Sequence, residues 1–442
     1  MDDGFRSELA ELLAIPSVSA DATHGDDVWA AAEWVRSFVE GAGGEAELVD
    51  WQGRPLVVGE VRASRAADAP TVMCYGHFDV QPPAPLELWD SPPFVLTERG
   101  EHLYARGIVD DKGQLYMLLK AAEQLASEQA LPVNVRFCCD GEEEIGGHSI
   151  VDFLAGDERR ADACVIFDSG MIRRGLPAIN VATRGLTYFH VRVQTGERDL
   201  HSGMYGGAAL NAMHALMQTL AGVLPRNGRL PEALRAGLAA PTAEELRGWT
   251  ELPAGVDELA AQGARPADPR AGEEFYLRTF AEPSLDVHGL EGGSPRLQKT
   301  VLPVVAEANL SIRLAPGQTV EAVAPEVERL LREAAPEGAD VEVERWSSAP
   351  PGLVPPDAPA IRLAQDAFEH VVGVRPLLVR SGGTLPIVAA LVDRGIPTVV
   401  TGFGLPDANI HSPNERLLAE YLPLGIATAR ELFARFADLP AR

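Results

Sequence analysis

Histidine and carboxylate side chains follow several apolar stretches of the sequence, at the point where each stretch ends. The stretches are "TVMCYGHFDV", "VRFCCDGEEEIGG", "ACVIFDSG" and "TVVTGFGLPDANIHSPNE", and the loop "LYARGIVDDKGQ" adds two adjacent aspartates in front of a helix. Imidazole nitrogens and carboxylate oxygens both bind metals, and a carboxylate can also act as a general base. The residues placed in this way are His77, Asp79, Asp110, Asp111, Glu142, Glu143, Glu144, Asp168 and His411.

These side chains are expected to meet, because ligands of open α/β sheets bind beyond the carboxyl ends of the strands. A cluster of histidines and carboxylates has no structural use that would offset its mutual repulsion, whereas bound cations would do so. Mixed histidine and carboxylate ligation suits zinc, with Mn²⁺ and Co²⁺ as alternatives. About five ligands exceed one tetrahedral site, so the sequence predicts two metal ions bridged by a carboxylate.

The elements that must position these residues are predicted from the hydrophobic pattern. Strands alternate with helices at both ends of the chain, which is typical of an α/β fold with a mostly parallel sheet flanked by helices. Residues 224–295 have weak periodicity, which predicts short helices and loops. We expect a main domain formed by residues 1–183 and 352–442, with a smaller α+β domain, residues 184–351, inserted into it.

Composition excludes several classes of function. The formal net charge of −26 argues against nucleic acid and against an anionic membrane surface as partners. Four cysteines lie in apolar stretches without CxxC spacing, which indicates free thiols in a reducing compartment. The acidic N-terminal stretch does not resemble a signal peptide, and no apolar run approaches the about 20 residues of a membrane span. We therefore expect a cytoplasmic protein.

Eight short motifs occur in an order that resembles a known family. They are "GHFDV", "GIVDDKG", "EEEIGGHS", "FDSG", "DLHSGMYGG", "KTVLP…ANLSIRL", "RSGGTLP" and "HSPNE". Together they resemble the dinuclear zinc exopeptidases, a family that includes carnosinase-like dipeptidases, carboxypeptidase G, aminoacylase and succinyl-diaminopimelate desuccinylase. The resemblance extends from about residue 10 to the C-terminus, and "DLHSGMYGG" and "ANLSIRL" are similar to the carnosinase-like branch in particular.

The resemblance implies a ligand set for two zinc ions in each subunit. One ion would be bound by His77, Asp110 and Asp168, and the other by Asp110, Glu144 and His411. The peptide bond that follows the bridging aspartate, Asp110–Asp111, would be cis. Asp111 and Lys112 would then support the ligands without binding metal.

Two further acidic residues have expected roles beside the ligands. Asp79 is placed to accept the second ring N–H of His77, which would fix the tautomer of a liganding imidazole. Adjacent residues of a loop point in different directions, so Glu143 can act as general base on a metal-bridging water while Glu144 binds metal. Glu142 is expected to lie outside the site.

The inserted domain would supply the remaining site residues and the dimer. By resemblance, His201 reaches into the active site of the partner subunit and stabilises the tetrahedral oxyanion. This implies a homodimer built through residues 184–351 as a dimerisation or lid domain. Arg313 would bind the substrate's terminal carboxylate with its guanidinium fork, and Thr300, Gly383 and Thr384 would be further substrate contacts.

The sequence therefore predicts a dinuclear zinc metallopeptidase that hydrolyses dipeptides or short peptides with a free carboxylate. The same chemistry on an N-acyl amino acid would make the protein a deacylase. A third possibility is a catalytically silent binding protein on this fold, although the intact ligand set argues against it. Serine hydrolases, P-loop NTPases and dinucleotide-dependent enzymes are disfavoured, because the chain lacks their G-x-S-x-G, G-x-x-x-x-G-K-[ST] and G-x-G-x-x-G motifs.

Overall fold

The computed structural model describes residues 3–64 and 68–440, which form two compact units. The first unit takes in the described residues up to Val181, Val354–Val379 and those from Ala390 onwards. The second unit consists of Ala182–Leu353 and Arg380–Ala389. The catalytic and dimerisation roles assigned to the two predicted domains stay predictions.

The large sheet contains nine strands, and its centre is parallel as predicted. The order is β1-β2-β6-β3-β7-β17-β8-β15, with β16 also paired to β8. Strands β6, β3, β7 and β17 are parallel neighbours, and the pairs β1–β2, β2–β6, β17–β8 and β8–β15 are antiparallel. The strands are β1 (Glu45–Trp51), β2 (Arg54–Val61), β3 (Thr71–His77), β6 (Asn134–Asp140), β7 (Ala163–Phe167), β8 (Ala178–Thr183), β15 (Gly352–Leu353), β16 (Leu377–Ser381) and β17 (Thr398–Thr401).

Helices pack on this sheet because their apolar faces match its buried strands. Strand β3 is buried at every position after Thr71, so it must be covered on both faces. A three-stranded sheet with the order β18-β5-β4 also belongs to this unit. The remaining elements are α1 (Asp3–Leu13), α2 (Gly25–Gly41), β4 (Thr97–Arg99), β5 (His102–Tyr104), α3 (Lys112–Ser127), α4 (Ser149–Gly156), α10 (Pro359–Val372), β18 (Arg416–Leu418) and α12 (Tyr421–Phe436). Helix α11 (Pro386–Asp393) is divided between the two units after Ala389.

The second unit is built on a four-stranded antiparallel sheet with the order β11-β13-β9-β14. Strand β9 alternates strictly between buried and half-buried residues, which is the pattern of a sheet covered on one face. Helices α6 and α9 pack against this sheet and share its apolar core. The elements are β9 (Gly185–Gln194), β10 (Leu200–His201), α5 (Ser202–Tyr205), α6 (Ala212–Leu220), α7 (Ala243–Trp249), α8 (Gly255–Ala261), β11 (Ser284–Glu291), β12 (Val301–Leu302), β13 (Val305–Leu314), α9 (Val320–Ala334) and β14 (Asp340–Ala349).

One sequence prediction for this unit is wrong in part. Residues 224–295 contain the expected short helices, including a π-helical turn at Leu277–Ala281, but they also contain strand β11. Strand β11 lies at the edge of its sheet and buries only Leu285, so it carries no alternating apolar signal. Periodicity cannot reveal such a strand.

The four cysteines, Cys74, Cys138, Cys139 and Cys164, are buried and free, as expected from their apolar surroundings. Burial raises the pKa of each thiol, which keeps it protonated and unreactive. None of the helices in the described part of the chain is long and apolar enough to cross a membrane.

Candidate metal centre

Neighbouring strands bring the predicted ligands to one edge of the large sheet. His77 is the last residue of β3 and pairs in register with Asp140, the last residue of β6. Glu143 and Glu144 follow directly in a short 3₁₀ turn, and Asp168 follows the last residue of β7. Since these strands are parallel, their carboxyl ends meet, and the side chains that follow them lie together.

Asp110 lies between two imidazoles. Nε2 of His77 lies 2.9 Å from Oδ1 of Asp110, and Nε2 of His411 lies 2.9 Å from Oδ2. Glu144 adjoins the other imidazole, because its Oε2 lies 3.1 Å from the same nitrogen of His411. His77, Asp110, His411 and Glu144 thus form one row of side chains. One carboxylate thus faces imidazole nitrogens from two distant parts of the chain.

The charges of this row shift the pKa values of its members. Burial alone would raise the pKa of Asp110, but hydrogen bonds from His411 and His77 hold it well below its usual range. Burial lowers the pKa of His77, yet hydrogen bonds to Asp110 and Asp79 outweigh it and raise that pKa well above the ordinary value. Asp110 and Glu144 raise the pKa of His411 to about 10. The carboxylates therefore draw positive charge to this place, which is the environment that a divalent cation needs.

Asp79 links the histidine to the glutamate turn. Nδ1 of His77 lies 3.1 Å from the backbone oxygen of Asp79 and 3.4 Å from its carboxylate, so the backbone carbonyl is the nearer acceptor for the ring N–H. The carboxylate accepts instead the backbone N–H groups of Glu143 and Glu144, at 3.3 and 3.1 Å. Asp79 thereby holds both the ring of His77 and the glutamate turn. Its carboxylate is buried, and backbone N–H groups donate to it.

The two glutamates of the turn point to different partners. Glu144 receives two hydrogen bonds from Nε2 of Gln81, one to its backbone oxygen at 3.0 Å and one to its Oε2 at 2.9 Å. Oε2 of Glu143 lies 4.0 Å from Nε2 of His77, beyond hydrogen-bonding distance. Burial raises the pKa of Glu143, and the positive charge of His77 opposes this rise. Glu142 turns away, since its Oε1 accepts the backbone N–H of Ser149 at 2.9 Å.

Asp168 and Asp111 lie within electrostatic reach of the row. Burial raises the pKa of the Asp168 carboxyl well above its usual range, and the charge of Asp110 adds to the rise. Burial also raises the pKa of Asp111, with Asp168 as the next cause. The Asp110–Asp111 peptide bond is cis, as the resemblance predicts. Lys112 is buried and donates from Nζ to the backbone oxygens of Leu12 and Ile15, at 3.1 and 2.6 Å.

The donor set fits a metal. His77, Asp110 and Glu144 offer ligand atoms that lie within 4.8 Å of one another. Two buried carboxylate oxygens beside them, Oε1 of Glu144 and Oδ1 of Asp111, have no hydrogen-bond partner within the described part of the chain. A buried carboxylate oxygen without a donor costs free energy unless a cation or proton satisfies it. A divalent cation with nitrogen and oxygen ligands would meet this need at Glu144, whereas the raised pKa of Asp111 favours a proton there.

A different set of predicted site residues belongs to the second unit. His201 is exposed, and its Nδ1 accepts the backbone N–H of Gly203 at 3.1 Å. Thr300 lies close to His201 in space, because the backbone oxygen of Thr300 accepts the N–H of Ser202 at 3.0 Å. Nη1 of Arg313 donates to the hydroxyl of Thr384 at 2.8 Å. Gly383, next to this threonine, accepts the backbone N–H of Arg184 at 3.0 Å.

Comparison with known proteins identifies the family. A model of the peptidase family M20/M25/M40 matches residues 73–435 of the chain. The chain belongs to this family. It is 28% identical to the Cys-Gly metallodipeptidase DUG1 of Saccharomyces cerevisiae, over 99% of this chain and 96% of the yeast protein. It is 30% identical to the β-Ala-His dipeptidase of Homo sapiens, over 85% of this chain and 76% of the human protein.

Solved structures of the M20 family share the fold. The M20 family metallo-carboxypeptidase Sso-CP2 from Sulfolobus solfataricus has a TM-score of 0.84 with this chain and 27% sequence identity, over 99% of this chain and 100% of that one. The resemblance inferred from the eight motifs, and its carnosinase-like branch, are thereby confirmed.

Two residues of this M20 chain support the candidate site but were missed in the sequence. Glu415 accepts the backbone N–H groups of Gly107, Val109 and Asp110, at 2.9, 2.8 and 3.1 Å, and pairs with Arg106 at 2.7 Å. Glu415 closes the motif "HSPNE" four residues after His411, and Gln81 follows Asp79 by two. Both therefore lay inside or beside stretches already singled out, but the sequence does not show which partners they contact.

Proposed function

We propose that this chain is a metal-dependent dipeptidase that hydrolyses dipeptides or short peptides with a free C-terminal carboxylate. The observation that carries the proposal is the carboxylate of Asp110, which faces His77 and His411 at 2.9 Å each, with the carboxylate of Glu143 4.0 Å from His77. The yeast and human relatives are named for the cleavage of Cys-Gly and β-Ala-His, which are both dipeptides.

The metal-binding residues in this proposal are divided between two ions. His77, Asp110 and Asp168 would hold one ion, and Asp110, Glu144 and His411 the other. Zinc suits this mixture of imidazole and carboxylate, and Mn²⁺ or Co²⁺ would also fit. When bound, the ions would supply a Lewis acid that polarises the substrate carbonyl and makes a nearby water more acidic.

Glu143 is the general base of the proposed reaction. Its Oε2 lies 4.0 Å from Nε2 of His77, beyond hydrogen-bonding distance, whereas Glu144 is held by Gln81 and His411. Because burial raises the pKa of Glu143, its carboxylate takes up a proton more readily than an exposed one. It would remove a proton from the attacking water and deliver it to the leaving amine.

The second unit would bind the substrate and form a homodimer. Arg313 would hold the terminal carboxylate of the substrate, with Thr300, Gly383 and Thr384 as further contacts. His201 would stabilise the oxyanion in the active site of the partner subunit. Exposed apolar side chains lie close to this histidine: Met204 is three residues further along the chain and 74% exposed, and Val301, which pairs with His201 between β10 and β12, is 41% exposed. Such residues are typical of an interface, which supports the homodimer. The free, buried cysteines support a reducing compartment, and we infer a cytoplasmic location.

The test compares matched substrates after chelation and restoration of metal. Cys-Gly, Ala-Leu, Gly-Gly and β-alanyl-histidine are offered beside N-acetyl-leucine, with Zn²⁺ or Mn²⁺ added back. Hydrolysis of the dipeptides alone, only with metal, is the expected result. Preference for N-acetyl-leucine would make the protein a deacylase with the same site, and no hydrolysis of either class with any of the metals would contradict the proposal.

A further inference from the structure

The loop Ser381–Thr384, which carries two of the proposed substrate contacts, is held by several side chains of the second unit. The hydroxyl of Ser381 accepts the backbone N–H of Gly383 at 3.1 Å. The hydroxyl of Thr384 accepts a hydrogen bond from Arg313 at 2.8 Å. The loop thus places one hydroxyl against the guanidinium that would bind the substrate's carboxylate.

Arg184 fixes the backbone of the two glycines in this loop. Its backbone N–H donates to the oxygen of Gly383 at 3.0 Å, and its Nε donates to the oxygen of Gly382 at 2.9 Å. Its Nη1 donates to the hydroxyl of Ser284 at 3.2 Å, which ties the loop to strand β11. Burial and the nearby charge of Arg313 lower the pKa of Arg184 to about 10. Two guanidinium groups therefore lie close together beside the loop, in a setting that favours an anion.

A buried ion pair anchors the residue that precedes the loop. Nε of Arg380 donates to Oε1 of Glu245 at 2.6 Å, and the two side chains are 1% and 0% exposed. Nη1 of Arg380 donates to the backbone oxygen of Ala239 at 2.9 Å, and its guanidinium lies 5.9 Å from the ring of Trp249. Glu245 also accepts the backbone N–H of Thr242 at 2.7 Å, so it caps helix α7 at the same time.

Stability alone gives a weak reason for such a pair. The cost of removing both charges from water offsets most of their attraction, and apolar replacements of buried pairs are often tolerated. What a guanidinium and a carboxylate do supply is a fixed mutual geometry, because their two-pronged hydrogen bonds allow few orientations. Here that geometry is imposed on the residue directly in front of Ser381.

We propose that Arg380 and Glu245 are positioning residues, which act with Arg184 to set the Ser381–Thr384 loop against Arg313 and so determine the affinity for a substrate with a free C-terminal carboxylate. The inference rests on the proposed function of Arg313 and Thr384. It gives the segment around α7 a role in substrate selection, although that segment supplies none of the proposed metal ligands.

The experiment removes the pair as a unit, with Arg380→Met and Glu245→Gln in one protein. Both charges leave together, and glutamine can still accept the Thr242 N–H, so helix α7 keeps its cap. We measure kcat and KM of the metal-loaded full-length enzyme for Ala-Leu and for Ala-Leu amide, whose carboxylate is replaced by a carboxamide. The expected result is a KM for Ala-Leu raised about tenfold or more, since small displacements of a binding group have effects of this size.

Two further readouts separate positioning from a general loss of structure. The kcat for Ala-Leu and the kcat/KM for the amide should stay close to the wild-type values, because the reacting groups are untouched. Arg380→Lys, which keeps the charge but not the two-pronged geometry, should lie between the double variant and the wild type. An equal fall of kcat/KM for both substrates would overturn the inference.

The matched control is an exposed ion pair of the same unit. Arg329 and Glu326 of helix α9 lie 2.6 Å apart with side chains 44% and 36% exposed. Arg329→Met with Glu326→Gln removes the same two charges and should leave the KM for Ala-Leu unchanged.

A second variant covers the case in which the double variant does not fold. Arg184→Lys keeps a positive charge but loses the Nε–H that Gly382 accepts, so it should raise the KM for Ala-Leu without changing metal content. An unchanged KM in Arg184→Lys would also overturn the inference. If the wild type hydrolyses Ala-Leu but does not discriminate against the amide, the inference about the loop is overturned while the proposed function stands. If it hydrolyses neither, the proposed function fails and the inference with it.

Discussion

The carboxylate of Glu415 accepts the backbone N–H of Asp110 at 3.1 Å, although 305 positions separate the two residues in the chain. The same buried carboxylate accepts two more backbone N–H groups and pairs with Arg106. Glu415 therefore holds the backbone from which the carboxylate of Asp110, the proposed bridging ligand, extends.

Glu415→Gln should destabilise the protein. The amide would leave Arg106 buried without its counter-charge, and breaking a buried pair in this way costs about 3–5 kcal/mol. Urea denaturation of the metal-free protein measures the loss. Glu420→Gln removes an exposed partner of Arg174 and should change the unfolding free energy little. Equal stability of the two variants would contradict the role given to Glu415.

Asp110→Asn should lose metal and activity together. Its carboxylate is the only group in the row that faces both His77 and His411, and an amide is a much weaker ligand for zinc. Metal content after dialysis, measured by atomic emission, should fall well below that of the wild type. Asp407→Asn, an exposed aspartate paired with Arg416, should retain full occupancy. Full occupancy in Asp110→Asn would show that Asp110 does not bind the metal.

Glu143→Gln should keep its metal and lose about 10²–10⁴-fold in kcat, because it removes a general base and not a ligand. Glu142→Gln serves as the control, since Glu142 contacts the backbone of Ser149 on the far side of the turn. If Glu142→Gln were inactive and Glu143→Gln lost metal, the assignment of base and ligand would be shifted by one residue.

Mixed subunits test the role of His201 in the dimer. His201→Ala and Glu143→Ala proteins should each be inactive, and activity should return when their subunits exchange. In a mixed dimer one active site has both Glu143 and a histidine from the partner. The measurement is Ala-Leu hydrolysis before and after exchange, with dimer exchange followed by mass spectrometry of differently tagged subunits. Complete exchange without recovered activity would contradict the role across the interface.

The four cysteine thiols should not react with thiol reagents in the folded protein. All four cysteines are buried, and burial raises the pKa of each, so Ellman's reagent should label none at neutral pH and all four in denaturant. Rapid labelling of the native protein would show that the sheet opens more readily than its burial implies.

That the proposed ligands would lie at one edge of the sheet was predictable because two simple patterns coincide. Each apolar run is a buried strand, and parallel strands deliver the residues that follow them to one edge of the sheet. His77, Glu144 and Asp168 follow this rule directly. The resemblance added their division between two metals, which the pattern of strands alone does not provide.

The supporting contacts were not predictable in the same way. Glu415 and Asp110, or Arg380 and Glu245, are far apart in sequence, and each pair consists of ordinary charged residues until the fold brings them together. Asp79 shows a finer limit, because the sequence indicates an acceptor beside His77 but not that the backbone carbonyl is nearer than the carboxylate. Tertiary packing decides which distant charged residues become partners and which acceptor lies nearest to His77.

The short pairing of β8 with β15 has a consequence for how this chain could have changed in evolution. Ala182 pairs with Leu353 and Thr183 with Gly352, so the long segment Ala182–Leu353 begins and ends at hydrogen-bonded neighbours. A segment with adjacent ends can be enlarged, exchanged or deleted while the flanking strands keep their separation. Arg380 limits that freedom, because any replacement for the segment would have to provide a new carboxylate for this buried guanidinium.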